Sequence, residues 1–139
     1  MHRFEEAALA LLRVVAGLML MQHGAQKMFG VLGGYRGEPG NTAEPFSRGF
    51  FAGILETFVA PLLVVGLLTR PVAFLLSGLM AFAYFLAHAK DGFWPILNGG
   101  ELPALYCFVF FYLSARGGGR YSLDALLARR RDAARARPS

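Results

Sequence analysis

The residues of this sequence that could do chemistry are ionisable and hydrogen-bonding side chains that interrupt long apolar stretches. An imidazole titrates near neutral pH, and carboxyl, amide and cationic groups can bind protons, anions or carbonyl oxygens beside it. Inside an apolar segment that crosses a bilayer such groups are costly, so each one indicates a function or a partner. The candidates are Arg13, His23, Lys27, Glu56, Tyr84, His88, Asn98 and Glu101.

Residue types alone indicate whether metal binding or thiol chemistry is expected. Zinc and iron accept imidazole and carboxylate ligands, so an alternative metal set consists of His23, Glu56, His88 and Glu101. No close histidine pair supports that alternative, and no metal is therefore expected. Cys107 is the only cysteine, so this chain alone has neither an internal disulfide nor a thiol pair for dithiol oxidoreductase chemistry.

Long apolar segments must position these groups. The chain has 139 residues, of which 55% are hydrophobic, and four stretches approach or exceed the roughly 17 apolar residues that a helix needs to cross a bilayer. They are residues 4–29, 49–69, 71–89 and 101–115. The first is too long for the hydrophobic region of a signal peptide and carries charges, so we expect it to be retained. The predicted fold is all-α, a four-helix transmembrane bundle.

The first two segments bring polar groups to similar depths. His23 and Lys27 lie in the last two turns of the first segment, and Glu56 lies seven residues into the second. Because consecutive helices run in opposite directions, these three positions lie in the same half of the bundle. Arg13 is nearer the middle of the membrane, where we expect Glu56, a carbonyl or a lipid phosphate as its partner.

The third and fourth segments add polar groups to the same half. A stripe of polar or small residues follows one face of the third helix, at Ser77, Ala81, Tyr84 and His88. Asn98 and Glu101 come at the start of the fourth segment. The sequence therefore predicts a polar site in the outer half of the bundle.

The positive charge of the chain lies in its tail. Residues 1–115 contain seven Lys and Arg against seven Asp and Glu, whereas residues 116–139 contain seven Arg against two Asp. The positive-inside rule then places both termini in the cytoplasm, with four crossings between them. We expect a membrane domain at residues 1–116 and a basic cytoplasmic tail at 117–139 with a short amphipathic helix. Anionic lipid headgroups are the predicted partner of this tail, and nucleic acid is rejected because lipid attraction needs only charge and proximity.

Several motifs together resemble the DoxX-like membrane proteins. They are Leu12-Arg13-Val14 and Gln22-His23-Gly24 with Lys27 in the first segment, Gly53-Ile54-Leu55-Glu56 and Gly66-Leu67-Leu68-Thr69-Arg70 in the second, and His88 with Asn98-Gly99-Gly100-Glu101. The resemblance covers nearly all of residues 8–116. It implies a four-helix membrane protein, and some members are associated with oxidoreductase complexes, including electron transfer from thiosulfate to quinone. The site positions it implies are Arg13, His23, Lys27, Glu56, His88, Asn98 and Glu101.

Two classes of function remain open at this point. The first is a subunit of an oxidoreductase complex in a prokaryotic inner membrane, with an outer pocket where His23 or His88 bonds a quinone-like carbonyl and Glu56 handles protons. Electrons would come from a partner, because the sequence has no haem-attachment or iron–sulfur motif. The second is a structural, assembly or lipid-binding subunit or homo-oligomer, in which the buried charges only lock the helices together. Whether the chain is itself an enzyme stays undecided.

Overall fold

The computed structural model describes residues 2–136, so Arg137 of the predicted basic tail lies outside the described residues. The described chain consists of helices and connections, with no strand. The helices are α1 His2–Phe29, α2 Arg48–Val65, α3 Thr69–Asp91, α4 Pro95–Asn98, α5 Glu101–Arg116 and α6 Leu123–Arg135. The four long helices α1, α2, α3 and α5 form a bundle, and α4 is a single turn. The predicted all-α four-helix class with a short carboxyl-terminal helix is confirmed.

The outside of this bundle is apolar. Large side chains that point away from the core are between 62% and 73% exposed, among them Leu11, Phe58, Phe74, Phe82 and Phe108. Such a surface is unfavourable in water and favourable against lipid chains. Two described segments, Arg48–Val65 and Thr69–Asp91, are long and apolar enough to cross a membrane.

The core lies where α3 packs along α5 and where α1 packs along α2. Its most deeply buried large apolar side chains are Leu20, Leu63, Leu76, Phe110 and Leu113. They come from all four long helices, so each helix contributes one face to a common interior.

Two glycines allow α1 to approach α2 closely. A Cβ atom at Gly24 would lie 2.6 Å from Oγ1 and 2.7 Å from the backbone nitrogen of Thr57. A Cβ atom at Gly17 would lie 2.7 Å from Cγ2 of Val64. These separations are shorter than van der Waals contact, so only glycine fits at this helix spacing. Gly17 and Gly24 therefore form a surface of α1 on which α2 packs closely.

The turn between α2 and α3 differs from its predicted position. We expected the second helix to continue to Thr69 and the third to begin at Pro71, whereas α2 ends at Val65 and α3 begins at Thr69. Gly66 has φ 73°, a left-handed conformation that glycine adopts without steric cost. This conformation ends α2 four residues earlier than the apolar run suggested, because hydropathy does not report backbone geometry.

Candidate functional site

An ion pair joins α1 and α2 at the end of the bundle that carries the loops 30–47 and 92–100, which we call the outer end after the predicted topology. Nζ of Lys27 lies 2.6 Å from each carboxylate oxygen of Glu56. The Glu56 side chain is 3% exposed and the Lys27 side chain is 19% exposed. A buried carboxylate needs such a partner. The partner of Glu56 is therefore Lys27.

Both π-helical turns of the described chain carry candidate residues. One turn, Leu55–Val59 within α2, contains Glu56. The other, within α3, begins with Tyr84 and ends with His88. Such turns interrupt the α-helical register and are frequent at functional sites. In α2 the turn lies beside the close approach at Gly24, so the helix contact and the Lys27–Glu56 pair belong to one local arrangement.

A cleft of about 960 Å³ opens beside Lys27. One wall is the face of α3, including Leu79, Phe82 and Leu86, and the opposite wall is the loop after α1 with the first turn of α2. The volume is close to the upper end of the roughly 300–1,000 Å³ that is typical of small-molecule sites. Neither His23 nor His88 lines this cleft. The two histidines predicted to bond a carbonyl therefore lie outside this cleft, and Lys27 is the predicted site residue that lines it.

Cationic side chains outnumber acidic ones in the lining of the cleft. Lys27, Arg36, Arg48 and Lys90 line it, whereas Glu44 is its one acidic lining residue in the described chain. Only Lys27 of these four forms an ion pair with a described carboxylate. The cleft therefore has an excess of positive charge that the described residues do not neutralise.

The loop between α3 and α5 is held by hydrogen bonds that involve Tyr84, His88 and Asn98. The Tyr84 hydroxyl donates to the carbonyl oxygen of Phe93, and Nδ2 of Asn98 donates to the carbonyl oxygen of Gly92 at 2.7 Å. Nδ1 of His88 lies 3.0 Å from the carbonyl oxygen of Asn98, which accepts a hydrogen bond when that nitrogen carries the proton. The structure thus brings these three predicted residues together, with most of their bonds directed at loop backbone.

His23 and Glu101 join neither group. His23 is half-buried and Glu101 is exposed, and their side chains make no hydrogen bond or ion pair with the residues that the structure describes. Within residues 2–136, no three His, Cys, Asp or Glu side chains gather closely enough to hold a metal ion. The alternative metal set His23, Glu56, His88 and Glu101 is therefore not assembled.

Arg13 binds the tail at the opposite end of the bundle. Its guanidinium, on a residue only 2% exposed, donates to the carbonyl oxygens of Leu63 at 2.6 Å and Tyr121 at 2.8 Å, and also to that of Val64. Among the predicted partners of Arg13, the structure therefore selects backbone carbonyls. Leu63 and Val64 belong to α2 and Tyr121 precedes α6, so one side chain links the bundle to the tail.

Asp124 completes this tail contact. Its two carboxylate oxygens accept hydrogen bonds from the amide nitrogens of Leu68 and Thr69, each at 2.8 Å, and so cap the start of α3. Its own amide donates to the carbonyl oxygen of Gly66 at 3.0 Å. Burial opposes ionisation, but the two amide hydrogen bonds and the Arg13 guanidinium hold the pKa of Asp124 below its usual range.

Sequence reasoning missed Asp124 and three cations of the cleft. Asp124 is one of two acids in an Arg-rich tail, and the only signal was its place just after Ser122, which caps α6. Two loop glutamates equal Arg36 and Arg48 in number. The net charge of the loop therefore gave no indication that these arginines line a cleft. In the structure one of those acids, Glu38, instead accepts a hydrogen bond from Nδ2 of Asn41 at 3.1 Å. Lys90, the third cation, gave no sequence signal beyond its place at the end of the third segment.

Comparison with known proteins agrees with this architecture. A protein of Haemophilus influenzae described as uncharacterized is 39% identical over 127 residues, which are 89% of this chain and 93% of the relative. A second uncharacterized protein of Haemophilus influenzae is 38% identical over 66 residues, which are 48% of this chain and 44% of that protein. No solved structure is detectably similar. The family model DoxX matches residues 8–89, more than half of the chain, and this membrane protein therefore belongs to the DoxX family.

Proposed function

We propose that the protein is a subunit of a membrane oxidoreductase complex that binds a quinone-like amphiphile in the cleft beside Lys27. The observation that carries the proposal is the position of this one side chain. Lys27 lines the cleft of about 960 Å³, and its ammonium group also holds the buried carboxylate of Glu56. A proton-bearing group is thus fixed at the wall of a cavity large enough for a small molecule.

The walls of the cleft suit a lipid-soluble ligand. Phe82 and Leu86 line it from α3 and are 67% and 48% exposed, on a bundle whose outer surface is apolar. A ligand with an apolar tail can therefore contact α3 while its polar head contacts Lys27.

Lys27 and Glu56 supply the chemistry in this proposal. The ammonium group donates hydrogen bonds, and it is the group that faces a carbonyl or hydroxyl oxygen in the cleft. Glu56 fixes the position of Lys27 and is itself shielded from solvent. Together the pair can hold a proton and exchange it with a bound head group. Electrons are assigned to a partner subunit with its own redox group, because the sequence has no haem-attachment or iron–sulfur motif.

Two tryptophan variants test the location of the ligand. Leu86 lines the cleft, whereas Leu75 lies on α3 outside it, and the two are 48% and 47% exposed. Leu86→Trp places a larger side chain in the cleft and should weaken binding of a decyl-substituted benzoquinone to the full chain in detergent. Leu75→Trp, the matched control, should retain binding. The proposal fails if the wild-type protein does not bind this quinone, or if the two variants bind it equally well.

We further propose that the chain crosses a prokaryotic inner membrane four times, with both termini in the cytoplasm. The exposed apolar side chains on α1 and α5, among them Leu11 and Phe108, support crossings by these helices as well as by α2 and α3. The tail carries exposed arginines on α6, which suits attraction to the anionic inner leaflet.

A structural, lipid-binding subunit is the second candidate function. The specific observation in its favour is α6, where Leu126 and Leu127 are 42% and 40% exposed beside a run of arginines at 129–131. Replacing these three arginines with glutamine should reduce the anionic phospholipid that copurifies with the protein, as measured by native mass spectrometry. Retention of only phospholipid, with no quinone or redox partner in preparations from the native membrane, would favour this candidate over the redox subunit.

A further inference from the structure

We infer that the cleft beside Lys27 takes an acidic amphiphile, a quinone-like molecule whose head group is ionised at neutral pH. The inference rests on the proposed function, since it concerns the ligand of the same cleft, and it narrows the ligand from quinone-like molecules in general to those with a negative charge.

The charges that line the cleft carry this inference. Arg36, Arg48 and Lys90 line it without an ion pair to any carboxylate that the structure describes. Lys27 is different, because Glu56 already neutralises it. Glu44 is the one acidic lining residue among the described side chains. Arg36, Arg48 and Lys90 carry three positive charges, and Glu44 carries one negative charge. About two positive charges therefore remain to interact with a bound ligand.

One of the three unpaired cations also has a defined position. The guanidinium carbon of Arg36 lies 5.3 Å from the centre of the Tyr35 ring, and both residues line the cleft. A cation over an aromatic face is held by the ring's quadrupole. The other acid of this loop, Glu38, does not line the cleft and is bonded to Asn41. The loop therefore presents Arg36 to the cavity and turns a carboxylate away from it.

The distribution of these groups matches an amphiphile. The cations come from the loop after α1, the start of α2 and the end of α3, whereas Leu79, Phe82 and Leu86 form an apolar strip along α3. A neutral ligand would remove water from Arg36, Arg48 and Lys90 and offer no counter-charge. An ionised acid group on the ring supplies that counter-charge, while an alkyl tail covers the apolar strip.

A matched pair of ligands isolates the effect of charge. A 2-hydroxy-3-alkyl-1,4-naphthoquinone is a vinylogous acid and is ionised at neutral pH, whereas its 2-methoxy derivative has the same ring and tail but no charge. Their binding to the full chain in a neutral detergent can be compared by equilibrium dialysis. We expect the hydroxy compound to bind about tenfold more tightly, which corresponds to about 1.4 kcal/mol. This advantage should shrink as salt is raised, because these cations are exposed.

Variants then assign the effect to residues. The triple substitution Arg36→Gln, Arg48→Gln and Lys90→Gln should remove the tenfold preference and leave binding of the methoxy compound unchanged. Arg70→Gln is the control, since Arg70 is an exposed cation that does not line this cleft.

The outcomes separate this inference from the proposed function. Equal binding of the two compounds to the wild-type protein overturns the charge inference and leaves the quinone cleft standing. A preference that persists in the triple variant overturns the assignment to these three cations. Failure of both compounds to bind overturns the proposed function, and the charge inference with it.

Discussion

Nζ of Lys27 lies 2.6 Å from each carboxylate oxygen of Glu56, although the two residues belong to different helices and are 29 positions apart. The pair lies beside Gly24, where α1 and α2 approach closely, and Lys27 also lines the outer cleft. A single interaction therefore joins helix packing to the proposed ligand site. Loss of either charge should affect both.

The first prediction concerns the stability that depends on this pair. Glu56→Gln leaves the half-buried Lys27 ammonium without its counter-charge, and breaking a buried pair costs up to about 3–5 kcal/mol. Glu38→Gln is the control, because Glu38 is exposed and its side chain is bonded only to Asn41 among the described residues. The free energy of unfolding in detergent, measured by circular dichroism with denaturant, should fall much more for Glu56→Gln. Equal losses would show that Glu56 is not a buried, paired group.

The second prediction tests whether the two charges act together. Lys27→Met leaves the buried Glu56 carboxylate unpaired, and Glu56→Met leaves the half-buried Lys27 ammonium unpaired. The double variant leaves neither charge. The double variant should therefore lose less stability than the sum of the two single losses, by at least about 1 kcal/mol. A double-mutant cycle on the free energy of unfolding measures this coupling. Additive losses would indicate that the side chains do not interact in the folded protein.

The sequence predicted which residues are polar in the membrane but not how they pair. Glu56 and Arg13 were both identifiable because each interrupts an apolar run, and a direct pair between them was one option. In the structure Glu56 pairs with Lys27, and Arg13 binds carbonyl oxygens instead. Pairing depends on the rotation of one helix against another, which Gly24 and the π turn Leu55–Val59 set and which hydropathy does not encode.

Neither the cleft nor the contact between the tail and the bundle could be predicted from the sequence, for a related reason. Arg36 and Lys90 are distant in the chain, and only the packing of the loop against the end of α3 brings them to one cavity. Asp124 belongs to the segment predicted as a basic cytoplasmic tail outside the membrane domain, yet it caps a bundle helix. Contacts between distant segments of this kind leave no periodic pattern in the residues that make them.

The third prediction concerns the close approach of α1 and α2. Gly24→Ala introduces a Cβ atom less than 3 Å from Thr57 and the carbonyl carbon of Glu56, both on α2. The helices must separate, so we expect a loss of about 1–3 kcal/mol, as for an overpacked core. Gly78→Ala is the control on α3, since nothing lies within 4 Å of its added Cβ atom. Thermal unfolding in detergent should distinguish the two, and a similar melting temperature for both would argue against tight packing at Gly24.

The fourth prediction concerns topology. Alkaline phosphatase folds actively only outside the cytoplasm, so a fusion after residue 139 should be inactive, and a fluorescent protein fused there should fluoresce. Insertion of the phosphatase after Gly40, in the loop between α1 and α2, should give activity. Phosphatase activity at the carboxyl end would contradict the proposed topology, in which the tail lies in the cytoplasm after four crossings.

The fifth prediction is a pH dependence at the other end of the molecule. Hydrogen bonds from the amides of Leu68 and Thr69 lower the pKa of Asp124 in the folded protein, whereas an unfolded aspartate has a pKa of about 3.9. The ionised form of Asp124 is therefore more favoured in the folded protein than in the unfolded chain. Its contribution to stability is complete above pH of about 4 to 5 and is lost as the pH falls through the lower folded value.

Asp124→Asn should therefore be less stable than the wild-type protein at neutral pH, and the difference should shrink as the pH is lowered below about 4. The free energy of unfolding of both proteins, measured by denaturant titration in detergent across this range, checks the prediction. Asp132→Asn is the matched control, because Asp132 is exposed on α6 and its side chain makes no contact with a described helix start. If the difference between Asp124→Asn and wild type does not change with pH, the carboxylate does not cap α3 in its charged form.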